Sequence, residues 1–323
     1  MSFAWIREPG KKSIVFSLRE KNDGDFYFAP FDGQLIQLSI SETIIKNCDK
    51  WVKSNLKLTS LPKINMNDSH SKSDYLKLVQ KALSSCKNNA LEKVVLSRTK
   101  AHKLGSASPV EMFNKLCDQY PLASVYMILI DGFTLWIGAT PECLMELNRN
   151  HFRTMSLAAT RPINYDGKWG IKEEEEQQLV TRDIVQMLDA LGCQNINIGD
   201  PKTLAAGPVE HLCSLIDAFH PLENALKTAR SLHPTPAVGG LPRAQSKAFI
   251  LQHENYNRSF YSGYFGWQKQ TRSIFYVNLR CMELGNNGIL SYAGAGITPK
   301  SKPEDEWNET EEKLKTLHRV ITE

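Results

Sequence analysis

The sequence predicts a mixed α+β fold, and three observations carry that prediction. Strand-like runs are joined by tight turns: Ser124-Val125-Tyr126-Met127-Ile128-Leu129-Ile130 passes through Asp131-Gly132 into Phe133-Thr134-Leu135-Trp136-Ile137, and Phe275 to Cys281 turns around Gly285-Asn286-Asn287-Gly288 into Ile289-Leu290-Ser291-Tyr292. Hairpins give antiparallel pairs, which argues against a doubly wound parallel sheet. Amphipathic helical stretches near 109–118, 172–191, 222–230, 243–253 and 303–321 are placed to cover such a sheet. Finally, 323 residues without an internal repeat or low-complexity linker can bury one large core, so a single domain over 1–323 is expected.

Residues 1–65 read as short strands and turns, with Ser13–Leu18 and Asp25–Phe28 flanking Asn22-Asp23-Gly24 as a hairpin. Residues 63–72 are polar and form a loop, after which Ser71 caps a helix carrying Tyr75, Leu76, Val79, Ala82 and Leu83. The formal charge of +4 is mild and its lysines and arginines are scattered, so neither a nucleic-acid nor a membrane surface is expected. No apolar run is long enough to span a bilayer, and Met1 to Gly10 carries no signal-peptide core, which makes a reducing cytoplasm the expectation. Seven widely spaced cysteines without a CxxC pair argue against zinc and against a disulfide framework. Nothing in the sequence requires an obligate protein partner.

Candidate chemistry begins at Glu173-Glu174-Glu175-Glu176-Gln177-Gln178, which flows into an amphipathic helix ending at Gly192, with Val180, Ile184, Met187 and Leu191 as its buried stripe. One turn back, that stripe lands on Glu176. The run is either a solvated first turn suited to the helix dipole or the source of a carboxylate for a hard cation such as Mg²⁺. A second acidic helix start, from Pro303, puts Glu306, Glu309 and Lys313 on one face and Trp307, Leu314, Leu317 and Ile321 on the apolar side. Lys93 opens an apolar strand with Arg98 on its opposite face; it is an edge residue that snorkels or, if buried, an amine shifted towards neutrality and usable as a general base. Glu142 emerges just after Pro141, as a strand-entrance carboxylate paired with an arginine or as a desolvated, protonated acid.

Small residues in Phe152–Pro162 and in Ala293-Gly294-Ala295-Gly296-Ile297 would let backbone approach a ligand closely. Gly294-x-Gly296 lacks the third glycine of a dinucleotide fingerprint, and Pro299 obstructs a helix start there. His211 and His233 are left as polar pocket lining at most. Taken alone, these residues reach a soluble α+β enzyme acting on a small anion, with dependence on Mg²⁺ open.

In order along the chain, Lys93-Val-Val-Leu-Ser-Arg98, Gly138-Ala-Thr-Pro-Glu142, Leu157-Ala-Ala-Thr-Arg161, Glu176-Gln-Gln-Leu-Val180, His233-Pro-Thr-Pro-Ala237, Arg258 to Gly266, Leu279-Arg-Cys281, Ala293 to Ile297 and Glu306-Trp-Asn-Glu309 resemble the motifs of the chorismate-utilising enzymes, and among them those of the isochorismate synthases. The resemblance implies two packed antiparallel sheets with helices outside and an active site between the sheets, a motif-bearing core over 88–323 and a shortened, divergent part over 1–87. It implies that Lys93 is the base that activates water for attack at C2 of chorismate and Glu142 the acid that protonates the departing C4 hydroxyl. It further implies that Glu176 and Glu309, with Glu306 beside them, hold Mg²⁺, and that Arg280 and Tyr261 bind the enolpyruvyl carboxylate. His211 and Lys313 would lie near the ring carboxylate, and Ala159, Thr160, Gly294, Ala295 and Gly296 would line the pocket.

Lysine at position 93, where ammonia-using members carry glutamine, implies water as the nucleophile. Leu157-Ala158-Ala159-Thr160 lacks the lysine of the aminodeoxychorismate type. Two departures stand out: Ala159 replaces the family's usual glycine, and Gln178 replaces an acidic or basic residue of some relatives. The expected activity is therefore that of an isochorismate synthase, an isomerase supplying menaquinone or a catechol siderophore, the short chain fitting menaquinone supply. The alternatives are a salicylate synthase, which goes on to eliminate pyruvate, and a non-catalytic chorismate-binding subunit.

Overall fold

The computed structural model describes the chain except residues 22, 164, 208, 222–224 and 323. Strands β1 (Ser2–Arg7), β2 (Ile14–Glu20), β3 (Phe26–Ala29) and β4 (Ile36–Ile44) come first, followed by helices α1 (Cys48–Asn55) and α2 (Lys72–Lys87). Next are β5 (Lys93–Lys103), α3 (Pro109–Gln119), β6 (Ser124–Ile130), β7 (Thr134–Thr140), β8 (Cys143–Asn148) and β9 (His151–Pro162). Then come α4 (Ile171–Ala190), β10 (Gln194–Ile198), β11 (Lys202–Ala206), β12 (Val209–Phe219), α5 (Ala225–Leu232), β13 (Gly240–Leu241) and α6 (Arg243–His253). The last elements are β14 (Tyr264–Lys269), β15 (Arg272–Val277), β16 (Cys281–Leu284), β17 (Gly288–Ile297) and α7 (Pro303–Thr322).

All pairings among the described residues are antiparallel, as the hairpins predict. They link seventeen strands in the order β13-β5-β17-β16-β7-β6-β1-β2-β4-β3-β14-β15-β8-β9-β12, with β10 and β11 both on β12. The result is one large antiparallel sheet flanked by helices, the α+β class expected; the pairing itself draws no boundary between two sheets. Strands β5 and β17 lie near one end of this order and β9 and β12 near the other, yet residues of all four line one cavity. The sheet therefore curls until its ends face each other.

Burial on both faces explains why the central strands are apolar throughout rather than alternating. Phe3, Trp5, Val125, Met127 and Leu129 pack in one cluster with residues of α1, α3 and α7. Their neighbours Ala4, Ile6, Tyr126 and Ile128 point the other way, into a cluster with β14 to β17. The first of these layers centres on Trp5, fully buried, whose ring stacks on Phe113 of α3 at 3.7 Å and 16°. Helix α3 is fixed at its start by a reciprocal cap, with Ser108 N–H donating to the Glu111 carboxylate at 2.6 Å and Glu111 N–H to Ser108 Oγ at 3.3 Å.

Several expectations need correction. Strands β2 and β3 do not form a hairpin with each other, because β2 spends its two edges on β1 and β4, and β3 pairs with β4 and β14. Asn22 lies outside the described residues, and Gly24 sits where β4 passes so close that a Cβ would fall 2.2 Å from the Leu38 carbonyl carbon. Helix α1 falls within the stretch read as strands and turns; its Asn47 makes no side-chain cap, so no start signal marks it. The run Phe275–Cys281 is two strands, broken at Asn278-Leu279-Arg280, where the buried Asn278 amide donates to Phe260 O at 2.8 Å and Arg280 takes a left-handed φ of 48°. In α4 the buried stripe runs through Gln177, Val180, Asp183, Ile184 and Leu188, with Met187 and Leu191 only partly buried. Asp183 is tolerated there because Arg243 pairs with both its oxygens, at 3.0 and 2.5 Å. Helix α5 starts at Ala225; the first residues of the expected 222–230 helix lie outside the described residues. Among the described residues no helix is long and apolar enough to cross a membrane.

Removing the Trp5 side chain should empty the centre of the helix-covered layer. Trp5→Ala is expected to cost about 3–5 kcal/mol in urea denaturation; a loss below about 1 kcal/mol would mean that the stack on Phe113 is not core packing.

Candidate active site

The site is assembled around Lys93, the first residue of β5. Its backbone pairs with Leu241 of β13, and its carbonyl accepts from Ser246 Oγ of α6 at 2.9 Å. Only 2% of the residue is exposed, so it is buried rather than snorkelling. Its Nζ lies 2.8 Å from Glu176 Oε1, in the first half of α4. The two side chains cross over Gly296 of β17, where an added Cβ would sit 2.9 Å from both Glu176 Oε1 and Lys93 Cε. Glycine is needed there for close approach rather than for backbone freedom. A buried polar network fixes the strand: Arg258 pairs with Glu254 at 2.7 Å and donates to the carbonyls of Val95 at 2.6 Å and Val238 at 3.0 Å. Glu254 also accepts from Ser97 N–H at 2.6 Å. On the far side of β5, Arg98 donates to Thr310 Oγ1 of α7 at 2.7 Å and pairs with Glu311.

The facing wall comes from β9 and β12. Their register shifts so that Ala159 and Thr160 together oppose the single residue His211, which makes a β-bulge. Ala159 has φ 58°, a conformation in which glycine is at ease and alanine costs about 1–2 kcal/mol. The glycine that the resemblance leads one to expect here would suit this backbone, and this chain places a strained alanine in it. The bulge turns the Ala159 carbonyl to His211 Nδ1 at 2.9 Å. On the other side of the ring, Arg280 lies 3.1 Å from Nε2. A guanidinium only donates, so Nε2 accepts and Nδ1–H donates to Ala159. His211 is neutral: burial, then Arg280 and Lys313, hold its pKa far below the usual imidazole range.

Arg280 is itself 7% exposed, and its other contact is donation to Thr316 Oγ1 at 3.3 Å. Neither partner is an acid, and among the described residues no carboxylate comes within ion-pair distance of it. Burial lowers its pKa to about 10, which still leaves it charged at neutral pH. A buried cation without a counter-ion is costly unless a ligand supplies one, so the structure prepares a place for an anion.

Glu142 follows Pro141 between β7 and β8, 3% exposed, with no arginine paired to it among the described residues. Desolvation raises its pKa to about 8, against the opposing pull of Lys93, Thr235 and Lys313. It therefore carries a proton at neutral pH, the second of the two expected readings. The Glu176 carboxyl lies below its usual range because its ion pair with Lys93, helped by Lys172 and Lys313, outweighs burial.

One cavity gathers Lys93, Glu142, Ala159, Thr160, Glu176, His211, Tyr261, Arg280, Gly294, Gly296, Glu309 and Lys313. Ala295 is outside that lining: strand alternation turns its side chain away from Gly294 and Gly296, into fully buried packing. Glu306 is also outside the lining, buried beside Lys172 at 3.4 Å, and burial and Glu309 raise its pKa. His233 is elsewhere, its Nε2 3.3 Å from Phe31 O. Gln178 is exposed on α4. Sequence reasoning missed Lys172, and it missed Gln177, whose buried amide donates to Ser156 and Ser214 at 3.0 Å each and locks α4 onto β9 and β12. The signal was available, since a helical period through Val180 and Ile184 includes position 177.

Each candidate metal carboxylate is held by a lysine: Glu176 by Lys93 at 2.8 Å, Glu306 by Lys172 at 3.4 Å and Glu309 by Lys313 at 2.5 Å. Among the described residues no three acidic, histidine or cysteine side chains converge tightly enough to hold a metal ion. The first and last of these pairs line the cavity, which holds about 70 Å³, room for a few waters.

The family model for chorismate binding enzymes matches residues 35–322. Isochorismate synthase MenF of Escherichia coli is 32% identical over 263 residues, covering 77% of this chain and 60% of that protein. Isochorismate synthase EntC of Escherichia coli is 29% identical over 258 residues, covering 76% of this chain and 66% of that protein. The chain thus spans between three-fifths and two-thirds of the length of these relatives. The solved structure of MenF, the menaquinone-specific isochorismate synthase from Escherichia coli, shares the fold with a TM-score of 0.81 at 24% identity, over 100% of this chain and 89% of that one.

If Arg280 is held for a ligand rather than for the fold, its removal should separate stability from binding. Arg280→Met is expected to keep or raise the urea-denaturation midpoint while weakening chorismate binding in calorimetry by about 2–5 kcal/mol. A markedly destabilised variant with unchanged affinity would reverse the assignment.

Proposed function

The chain belongs to the chorismate-binding enzyme family, and from that premise we propose that it is an isochorismate synthase, an isomerase that adds water at C2 of chorismate and expels the C4 hydroxyl. One observation carries the reading: a buried carboxyl with its pKa raised to about 8, Glu142, shares one cavity with the buried amine of Lys93. Hydroxide is a poor leaving group, and water is a poor nucleophile. A protonated Glu142 donates to the departing C4 oxygen, while Lys93, once parted from Glu176 and with its ammonium proton lost to solvent, takes a proton from the attacking water. A lysine at position 93, rather than an amide, supports water as the nucleophile.

Chorismate is a dianion. Arg280, lacking an acidic partner, takes the enolpyruvyl carboxylate with Tyr261 beside it, and neutral His211 presents Arg280 in a fixed orientation. Glu176, Glu306 and Glu309 would hold Mg²⁺, for which an all-carboxylate donor set is suited; when bound, the ion neutralises the ring carboxylate. Bound there, it would compete with Lys93, Lys172 and Lys313 for the three carboxylates. Gly294 and Gly296 supply the flat wall on which the ring rests. Isochorismate would serve menaquinone or a catechol siderophore.

The test is incubation of purified protein with chorismate and Mg²⁺, with and without ammonium, and chromatography of the products. Isochorismate alone is expected; anthranilate would overturn the nucleophile, and salicylate with pyruvate the end product. Lys93→Ala and Glu142→Gln should each lose about 10²–10⁴-fold in turnover while still binding chorismate. Near-normal rates in either would remove the acid–base assignment. Glu142 acts in its protonated form, whose population falls as pH rises through about 8. Turnover should therefore decline above that pH, and a rate still climbing beyond it would exclude Glu142 as the acid.

A further inference from the structure

Arg280 is the partition between two cavities. Beside it lies a second space of about 220 Å³, which Lys93 does not line, roughly three times the 70 Å³ of the first. Arg280 and Pro141 line both. The two ends of the guanidinium point different ways: one donates to His211, which lines the first cavity, and the other to Thr316, which lines the second. The rest of the second wall is largely apolar, including Ala123, Ala139, Leu204 and Ile163, and its rim is open, with Leu122 66% and Ile163 41% exposed. Gly207, at φ 69°, closes the space against Tyr120, where a Cβ would meet the ring at 2.5 Å.

We propose that this second cavity is a binding site for a small aromatic monocarboxylate, whose carboxylate pairs with the Thr316-side edge of Arg280. The chemistry selects that class. An apolar chamber takes a planar apolar body. The buried guanidinium, without an acid beside it, takes one negative charge and excludes cations. Because one guanidinium then serves two anions, an acid seated here weakens the attraction for a carboxylate in the first cavity, and the coupling is reciprocal. That coupling to chorismate rests on the function proposed above, whereas binding of the acid does not. The arrangement fits inhibition by an acid made downstream, since a cyclohexadiene of this type that loses its enolpyruvyl group becomes an aromatic carboxylate.

The test is calorimetric titration with salicylate and, as the uncharged control, benzamide. Two variants address the cavity alone: Leu204→Trp fills it, and Ile163→Asp sets an anion at its mouth. Salicylate should bind and benzamide should not, and at least one variant should weaken salicylate by about tenfold with chorismate affinity held within about twofold. Absence of salicylate binding, equal binding of benzamide, salicylate affinity unchanged in both variants, or an equal loss of chorismate affinity would each overturn the proposal. A protein that binds salicylate in this variant-dependent way but does not turn over chorismate would keep the second site and discard the activity.

Discussion

The contact on which the site depends is the ion pair of Lys93 with Glu176, laid across the bare backbone of Gly296. It joins three elements distant in sequence, β5, α4 and β17, at a point where none of them can yield. Such a buried pair contributes little net stability, because desolvation offsets much of the attraction. Its role is placement. The helix is held from the other side by Gln177, and the strand by Ser246 and by the Arg258–Glu254 network. These anchors hold the helix and the strand that carry the two side chains, so lysine and carboxylate meet in the folded chain without a ligand.

The charge balance of the pocket follows from that constraint. Around the cavity stand four cations, Lys93, Lys172, Lys313 and Arg280, and three lysine-paired carboxylates, Glu176, Glu306 and Glu309. Glu142 adds no charge while it keeps its proton. The surplus falls on Arg280, the member without an acid beside it. A bound anion corrects that surplus, and a divalent cation would exchange for the lysines rather than add to them. The same economy explains a site crowded when empty: its polar groups satisfy one another until a ligand offers better partners.

Local backbone geometry does the remaining work. The bulge at Ala159 and Thr160 interrupts an otherwise regular ladder and aims one carbonyl at His211, which fixes the tautomer that receives Arg280. The break at Asn278-Leu279-Arg280 performs the corresponding service from the other side, because a continuous strand would have carried Arg280 along the sheet instead of into the pocket. Both features place non-glycine residues at positive φ, a local cost concentrated beside the site.

Much of this was determined by sequence alone: the antiparallel class, four of the helices nearly to the residue, and the choice of Lys93, Glu142, Glu176, Arg280 and Lys313 as candidates, which the fold gathers in one cavity, since turn chemistry, helical period and motif order are local properties. Three kinds of fact were decided only in the folded molecule. Partner choice was one: β2 turned from β3 to β4, and Lys93 found Glu176, because pairing depends on which edges are free once the sheet has curled. Protonation was another, since the same glutamate is an anion in water and an acid once Pro141 and the cavity have desolvated it. The last was which face of a strand matters: Ala295 and its glycine neighbours are all small residues in sequence, and only the folded position of β17 beside β5 turns the glycines to the cavity and the alanine away.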